Sequence, residues 1–473
     1  MKTKYFFLIL FLVFSISTNG LYSQDDIIGK WWGNIDVIKT KLIIIIFFQK
    51  EDNKYEGSID IPQQSVKNYT LSEIEFDKKI VRFILDVPNG KAEFDGKYYK
   101  DSISGDFRQS GISGTFFLSR AMDVIKPEVT EKPPYIEEEV VFYNGDVKLA
   151  GTLTLPEYSG KHPAVIMITG SGPQDRNEEI LGFKHFQIIA DYFTRNGIAV
   201  LRYDDRGVGE SKGKTIDEST TEEFADDVLQ AFQFLKSRKD INPEAIGLCG
   251  HSEGGIVAPL AASKNPEIAF IICMAGTGVT GEEVIIEQMK QILKAEEVPE
   301  EEINKEIELL KKMTQAAKTD TGWEELKTEI IKTKKESFEK MPEEERKKIK
   351  DENKFIEITT EAEISQLKTP WFKFFITYNP VPALEKVKCP VLLLFGGLDF
   401  KVLVDQNLKP MTEALERGGN KDVTIKVFET GNHSFQDAKT GSMSEYEVLP
   451  KEFMPGFLEF MKDWILQRVS VSR

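Results

Sequence analysis

A repeated alternation of short apolar strands with amphipathic helices constrains the fold of this chain most. From residue 164 onward, apolar runs of strand length are each followed by a helical pattern. Strands of a parallel sheet are apolar throughout, because helices cover both of its faces. The pattern therefore predicts an α/β fold with a mostly parallel sheet and helices on both faces. The predicted strands are 164–169, 198–203, 245–249, 269–274, 390–395 and 423–428.

The alternation stops between about residues 279 and 386. Thr280 and Glu283 have the spacing of a capping box at a helix start, and charged helical sequence continues through Lys354. Helices inserted here would lie over the carboxyl ends of the strands, where such sheets bind their ligands. We interpret 279–386 as a helical lid insertion.

The chain before this α/β region has a different pattern. Residues 24–125 contain short runs that alternate apolar and polar side chains between turn signals, which predicts a small all-β domain, a barrel or a sandwich. Residues 126–134 are rich in proline and charge and are predicted to be a linker to an α/β domain at 135–473. Asn144-Gly145 predicts a hairpin near the start of that domain.

Residues 1–23 have the pattern of a signal peptide. Lys2 and Lys4 precede an almost wholly apolar stretch from Tyr5 to Ile16, and Ser23 is the predicted last residue of the leader. The apolar stretch is short for a transmembrane helix. We expect export to the periplasm or the medium, with no stable membrane anchor after the leader is removed.

Composition narrows the choice of partners. The 473 residues carry a formal net charge of −16, which argues against nucleic acid because phosphate binding needs a basic surface. Three cysteines, Cys249, Cys273 and Cys389, lie in or beside apolar runs and are predicted to be buried free thiols. The sequence shows no cluster of metal ligands, so neither a metal nor another cofactor is expected.

Gly250-His251-Ser252-Glu253-Gly254 follows a predicted strand and precedes a predicted helix. A serine at the apex of such a turn strains the backbone, and the flanking positions must therefore be small. Its place at a helix N-terminus favours negative charge that develops beside it. The motif predicts that Ser252 is a catalytic nucleophile in a turn built by Gly250, His251 and Gly254.

A serine nucleophile needs a base, and His433 is the best placed of four histidines. It follows the strand 423–428. His251 adjoins Ser252 and is expected to point away from it, His162 precedes the first parallel strand, and His185 is expected on a surface helix.

Asp399 follows the strand 391–395 and is the predicted acid that orients His433. Asp405 is the alternative, although it falls at the start of the next helix. The order Ser252, Asp399, His433 is that of the nucleophile, acid and base in hydrolases of the α/β type.

Two backbone N–H groups are needed to stabilise an oxyanion. Glu253, the residue after the nucleophile, is expected to supply one. The turn after the strand 164–169 is expected to supply the other, from Ser171 or from Gly172 as the near alternative. An Asp–Arg pair in Asp204-Asp205-Arg206 is assigned a structural role. Residues 174–176 are equally consistent with a pocket lining and with a salt-bridged surface loop.

Several of these segments resemble bacterial α/β-hydrolases of the esterase and serine aminopeptidase-like group, which often carry a β-rich N-terminal extension. The resemblance covers roughly residues 135–470. The segments are Ile168–Arg176, Tyr203–Ser211, Gly250–Gly255, Thr369–Phe372, Tyr378–Pro380, Cys389–Val391 and Gly397–Asp399. The oxyanion loop begins Thr169-Gly170 rather than the His-Gly of many lipases, which does not support lipase-type behaviour.

The resemblance implies the α/β-hydrolase fold, the triad Ser252, Asp399 and His433, and hydrolysis of carboxylic esters. The expected substrate is a small-molecule ester or a short peptide. A serine aminopeptidase or acyl-peptide hydrolase with the same triad is the alternative. An acyltransferase or thioesterase, or a non-catalytic binding protein, fits less well.

Overall fold

The computed structural model describes residues 27–37, 40–51, 54–61, 66–87, 90–109, 112–120, 133–341, 343–346, 349, 351–446 and 448–469. The predicted leader at 1–23 and most of the predicted linker at 126–134 lie outside these residues. The chain forms two compact units. One comprises the described residues that lie within 1–130 and 322–366, and the other comprises those that lie within 131–321 and 367–473.

Eight antiparallel strands of the first unit close into a barrel in which each strand pairs with its neighbour in sequence, and β1 also pairs with β8. The predicted all-β domain is therefore a barrel rather than a sandwich. Its strands are β1 (Gly29–Val37), β2 (Thr40–Glu51), β3 (Lys54–Ile61), β4 (Val66–Phe76), β5 (Ile80–Val87), β6 (Gly90–Tyr98), β7 (Ser102–Gln109) and β8 (Ile112–Ser119).

Aromatic side chains fill the barrel interior. Phe83 and Phe94 stack with their ring centroids 4.4 Å apart, and Phe116 packs edge-on against both rings. Trp31 and Phe48 are also fully buried. Small barrels are commonly packed by inward-facing side chains in this way, so these rings form the core of the barrel.

The second unit is built on an eight-stranded sheet with the order β18-β17-β16-β15-β11-β14-β10-β9. The strands from β18 to β14 are parallel, whereas β10 pairs antiparallel with both β14 and β9. The strands are β9 (Tyr135–Asn144), β10 (Val147–Pro156), β11 (His162–Ile168), β14 (Ala199–Tyr203), β15 (Ile241–His251), β16 (Ile271–Met274), β17 (Val391–Gly396) and β18 (Val423–Phe428).

The helices that accompany this sheet follow the predicted alternation. A short hairpin, β12 (Glu179–Ile180) and β13 (Phe183–Lys184), precedes the first of them. The capping box at Thr220 is present at the start of the second. These helices are α1 (His185–Arg195), α2 (Thr221–Lys236), α3 (Gly254–Lys264), α11 (Val404–Arg417) and α12 (Phe457–Val469).

The strand order indicates where along the sheet a ligand-binding crevice lies. The chain leaves β11 to form β14 on one side and later returns to form β15 on the other side. A reversal of this kind opens a crevice at the carboxyl ends of the strands, which is where ligands bind in such sheets. The turns that follow β11 and β15 therefore meet at this crevice.

The helical insertion joins the neighbouring parallel strands β16 and β17. It begins at Thr280, whose predicted capping box with Glu283 is present. The contact pattern divides the insertion, because residues 322–366 group with the first unit. Its helices are α4 (Gly281–Ala295), α5 (Glu300–Thr319), α6 (Trp323–Lys340), α7 (Glu343–Arg346), α8 (Glu352–Leu367), α9 (Pro370–Thr377) and α10 (Val381–Leu384).

The hairpin predicted at Asn144-Gly145 is present, with its turn one residue later. Asn144 pairs with Val147, so Gly145 and Asp146 are the two turn residues. Gly145 has φ of +56°, a conformation in which glycine carries no steric penalty. Within the described residues, no helix is long and apolar enough to cross a membrane.

The three cysteines are free thiols. Cys249 and Cys273 are fully buried in the sheet, and Cys389 is half-buried just before β17. The prediction of buried free thiols is therefore confirmed for Cys249 and Cys273, whereas Cys389 is free but only partly buried.

Candidate active site

Ser252 occupies a strained turn between β15 and α3. Its φ is +54°, in the left-handed region that side chains with a Cβ atom rarely adopt. Its N–H donates to the carbonyl oxygen of Met274, 2.8 Å away, which ties the turn to the end of β16. A turn held in this conformation presents its side chain at the carboxyl edge of the sheet.

Glycine is required on both sides of Ser252. A Cβ atom on Gly250 would lie 1.9 Å from the carbonyl oxygen of Gly254. A Cβ atom on Gly254 would lie 2.2 Å from the carbonyl oxygen of Ile168. Both distances are far below van der Waals contact, so the turn is compatible only with the glycines that the motif predicted.

The structure brings Asp399 and His433 together. Nδ1 of His433 lies 2.7 Å from Oδ2 of Asp399, and the two residues are only 3% and 4% exposed respectively. The other carboxylate oxygen of Asp399 accepts hydrogen bonds from the N–H groups of Lys401 and Val402. Because a carboxylate accepts, Nδ1 of His433 carries the proton, and Nε2 is left as the basic nitrogen of the neutral ring.

The environment of His433 favours its neutral form. Burial lowers the pKa of His433, the Asp399 carboxylate opposes this effect, and the positive charges of His251 and Lys401 lower the pKa further. The net pKa is below the ordinary histidine value, so the ring is unprotonated at neutral pH. A histidine in this state can accept a proton.

The turn after β11 holds the predicted oxyanion donors. Gly170 N–H donates to Oε1 of Glu178 at 2.7 Å, whereas the N–H groups of Ser171 and Gly172 have no hydrogen-bond partner among the described residues. The N–H of Glu253 likewise has no partner within the described part of the chain. These N–H groups are available to a ligand.

Glu253 has a second role that the sequence did not reveal. Its side chain is only 2% exposed, and its carboxylate accepts hydrogen bonds from the hydroxyls of Thr221 and Ser171 and from Nε1 of Trp371. Burial raises the pKa of Glu253, and the three donors partly offset this effect. The carboxylate therefore links the oxyanion loop to α2 and α9.

Two histidines lie behind the nucleophile turn. His251 points away from Ser252, as predicted, with Nδ1 2.9 Å from Oε1 of Glu178. The prediction that His185 lies on a surface helix is wrong. It is 1% exposed, its Nδ1 lies 2.7 Å from the carbonyl oxygen of Glu178, and burial lowers its pKa to about 4.

The acidic loop after β14 has the predicted structural role, but its members do not pair with each other. Arg206 forms a buried ion pair with Asp227 at 2.8 Å. Asp204 pairs with Arg176 at 2.8 Å, and Asp205 accepts from the Thr169 hydroxyl and the N–H of residue 174. These bonds join the loop to the oxyanion turn and fix the shape of both.

A narrow cleft opens at the carboxyl ends of β11 and β14. Gly170, Gly172 and Glu253 line it on the side of the oxyanion donors. Asp205 and Phe224 also line it. The cleft thus mixes apolar surface with carboxyl groups beside the nucleophile turn.

The fold and the nucleophile turn together define the class of protein: this chain is a serine hydrolase with the α/β-hydrolase fold. A family profile described as serine aminopeptidase, S33, matches residues 180–347, a range that contains Ser252 but neither Asp399 nor His433. The chain is similar to the esterase and serine aminopeptidase-like group of α/β-hydrolases, and it carries an N-terminal β-barrel extension.

Individual relatives have related activities. Esterase EstD of Thermotoga maritima is 26% identical over 362 residues, which span 76% of this chain and 75% of the relative. Thiohydrolase aneE of Aspergillus aculeatus is 35% identical over 169 residues, 35% of this chain and 50% of the relative. The structure of a Pyrococcus furiosus esterase aligns with a TM-score of 0.44 and 18% identity, covering 73% of this chain and 96% of that one.

Proposed function

We propose that this protein is an exported carboxylesterase that acts through an acyl-enzyme on Ser252, with His433 as general base and Asp399 as the acid that orients it. The buried 2.7 Å contact between His433 Nδ1 and Asp399 Oδ2 carries the proposal. It leaves the Nε2 nitrogen of a neutral ring to accept a proton. Ser252, Asp399 and His433 also occur along the chain in the order nucleophile, acid, base, each after the end of a strand.

In the proposed mechanism, Oγ of Ser252 attacks the ester carbonyl carbon while Nε2 of His433 takes the hydroxyl proton. The N–H groups of Glu253 and of Ser171, or of Gly172, donate to the oxyanion. The tetrahedral intermediate expels the alcohol, which receives the proton from His433. Water then attacks the acyl-enzyme in the same manner and releases the carboxylic acid.

The helical insertion is proposed to select the substrate as a lid. Its helix α9 supplies Trp371, whose indole N–H lies 3.1 Å from both carboxylate oxygens of Glu253, the residue next to the nucleophile. The end of the insertion therefore contacts the residue proposed to supply an oxyanion donor. Small-molecule esters that reach the cleft past α9 are the expected substrates.

A fluorophosphonate probe tests the assignment of the nucleophile directly. We expect the full chain to be labelled once, at Ser252, and to hydrolyse short-chain aryl esters. Ser252→Ala should abolish both signals and retain the native circular dichroism spectrum. An unlabelled but folded wild-type protein would contradict the proposal.

Amide hydrolysis is the second candidate activity, because the matched family profile is described as a serine aminopeptidase. The same triad can cleave amides, since amide hydrolysis passes through the same kind of acyl-enzyme on a serine. Aminoacyl amides and a thioester assayed beside the aryl esters separate the candidates. A higher kcat/KM for the amides would replace the esterase assignment with the peptidase.

Export is supported by the sequence of the first 23 residues. We expect the protein expressed with its own leader to be recovered outside the cytoplasm, with an N-terminus beginning at residue 24. Changing Lys2 and Lys4 to glutamate should retain the precursor in the cytoplasm, since the basic region is part of the signal. An uncleaved wild-type N-terminus would contradict export by this route.

A further inference from the structure

Glu178 and His251 form a buried pair beside the proposed triad. Their side chains are 1% and 2% exposed. Oε1 of Glu178 lies 2.9 Å from Nδ1 of His251, and Nε2 of His251 lies 2.9 Å from the carbonyl oxygen of His433. A carbonyl oxygen and a carboxylate can only accept, so both ring nitrogens of His251 must donate. The pair is therefore an imidazolium bound to a carboxylate.

The charges of the two groups support this state. Burial alone would raise the pKa of Glu178, but the charge and hydrogen bond of His251 bring it below its usual value. Burial alone would lower the pKa of His251, but Glu178 raises it above the ordinary histidine value. Each partner thus keeps the other charged inside the protein.

The Glu178–His251 pair contacts both the oxyanion loop and the proposed base. The same Oε1 of Glu178 accepts the N–H of Gly170, which immediately precedes Ser171. Gly170 is close to the nucleophile, since a Cβ atom placed on it would lie 3.1 Å from Cβ of Ser252. At the other end, His251 holds the backbone of the base His433 through its carbonyl oxygen.

We propose that Glu178 and His251 act as positioning residues for the reaction. They hold the oxyanion loop, at Gly170, and the base His433 in fixed positions relative to Ser252. The inference rests on the proposed roles of Ser252 and His433. It assigns a role to a carboxylate and an imidazolium that do not themselves touch the reacting atoms.

His251, the positively charged member of the pair, also faces the proposed base His433. The rings of His251 and His433 have centroids 4.8 Å apart. Among the described residues, the other charged or titratable groups around His433 are Asp399 and Lys401 from the turn after β17, Tyr446, whose hydroxyl accepts the N–H of His433, and His185 behind His251. Loss of the His251 charge should therefore move the acid limb of kcat/KM to higher pH, toward the ordinary histidine value of about 6.5.

Three substitutions separate the contacts of the pair. Glu178→Gln keeps the size of the side chain but removes its charge, so that His251 becomes neutral and can no longer donate from both nitrogens. His251→Asn places an amide nitrogen near the position of Nδ1 and keeps the donor to Glu178. His251→Gln places one near Nε2 and keeps the donor to His433.

We expect each variant to lower kcat by up to about 10²-fold, a loss that a misplacement of about 1 Å can cause, with little change in KM. Each should also raise the pH of the acid limb. The double variant Glu178→Gln with His251→Asn should lose no more activity than the worse single variant, because the two side chains act as one unit.

Titration with a fluorophosphonate gives the number of competent sites, so kcat is expressed per labelled Ser252 and misfolded protein is not counted. Glu179→Gln, at the neighbouring residue, whose carboxylate lies 3.9 Å from Lys184, is the matched control and should leave kcat and the pH profile unchanged.

An unmoved acid limb with additive losses of kcat would overturn the positioning role while leaving the triad in place. A wild-type protein without labelling or turnover would instead overturn the proposed function itself.

Discussion

Asp399 accepts a 2.7 Å hydrogen bond from Nδ1 of His433, although 34 residues separate the two in sequence. The pairing follows from the topology, since each residue follows one of two neighbouring parallel strands, β17 and β18. Backbone N–H groups of Lys401 and Val402 hold the second oxygen of the carboxylate and fix its orientation. The orientation of the Asp399 carboxylate is therefore fixed by the protein itself.

Asp399→Asn should lower kcat by about 10⁴-fold with little change in KM, because an amide no longer favours the tautomer with the proton on Nδ1. Asp405→Asn is the matched control. Asp405 lies in the first turn of α11 and should affect kcat by less than about twofold, as for other surface substitutions. Steady-state kinetics on an aryl ester measure both. Equal losses in the two variants would contradict the choice of Asp399.

The pH profile should reflect the lowered pKa of His433. The base must be neutral to act, so kcat/KM falls as the pH drops through this pKa. Since burial, His251 and Lys401 lower it against the opposing Asp399, the acid limb should lie below about pH 6.5. A profile of kcat/KM from pH 4 to 9 checks this, and an acid limb above pH 7 would contradict it.

Strain at Ser252 should be measurable in inactive variants. Ser252→Gly should be more stable than Ser252→Ala by about 1 kcal/mol, because only glycine adopts φ of +54° without a steric penalty. Ser263 in α3 is a helical position, so the order there should reverse, with Ser263→Gly the less stable. Urea unfolding of the four variants supplies the free energies. The same order at both positions would argue against strain in the turn.

Trp371→Phe should destabilise the protein by about 1–3 kcal/mol, since the buried Glu253 carboxylate loses a donor. The loss should grow as the pH rises. A buried acid with a raised folded pKa binds more protons folded than unfolded, so stability falls as pH rises above the unfolded value of about 4.3. Removing the indole donor raises the pKa of Glu253 in the folded protein further, which makes this fall in stability larger.

Phe375→Leu is the control for Trp371→Phe, because Phe375 stacks on the Trp371 ring without bonding Glu253. It should lose packing energy equally at pH 5 and pH 8. Unfolding free energies at the two pH values decide the matter. A loss in Trp371→Phe that is equal at both would show that the indole contributes packing alone.

Much of the fold was predictable because its signals are local. Apolar runs, capping boxes at Thr220 and Thr280, and the Gly250 to Gly254 turn each depend on residues close in sequence. The sequence predicted a small all-β domain but left a barrel and a sandwich open, since the alternating strands do not reveal whether the sheet closes. Closure depends on pairing between β1 and β8, which are far apart in the chain.

The partners of buried polar groups were not predictable in this way. Glu178 follows Asp175-Arg176-Asn177, which resembles an exposed polar loop, yet it is buried against two histidines. His185 lies in a predicted helix, and the sequence alone does not show that its side chain faces the interior. Arg206 pairs with Asp227 on α2 rather than with its sequence neighbours.

By itself the sequence determined the strand order along the chain, the strained nucleophile turn and the candidates Ser252, Asp399 and His433, because backbone sterics and hydrophobic periodicity act over a few residues. Only the tertiary structure decided which charged and polar groups meet in the interior. Burial makes an unpaired charge costly, so folding joins Glu178 to His251 and Glu253 to Trp371 across long sequence separations.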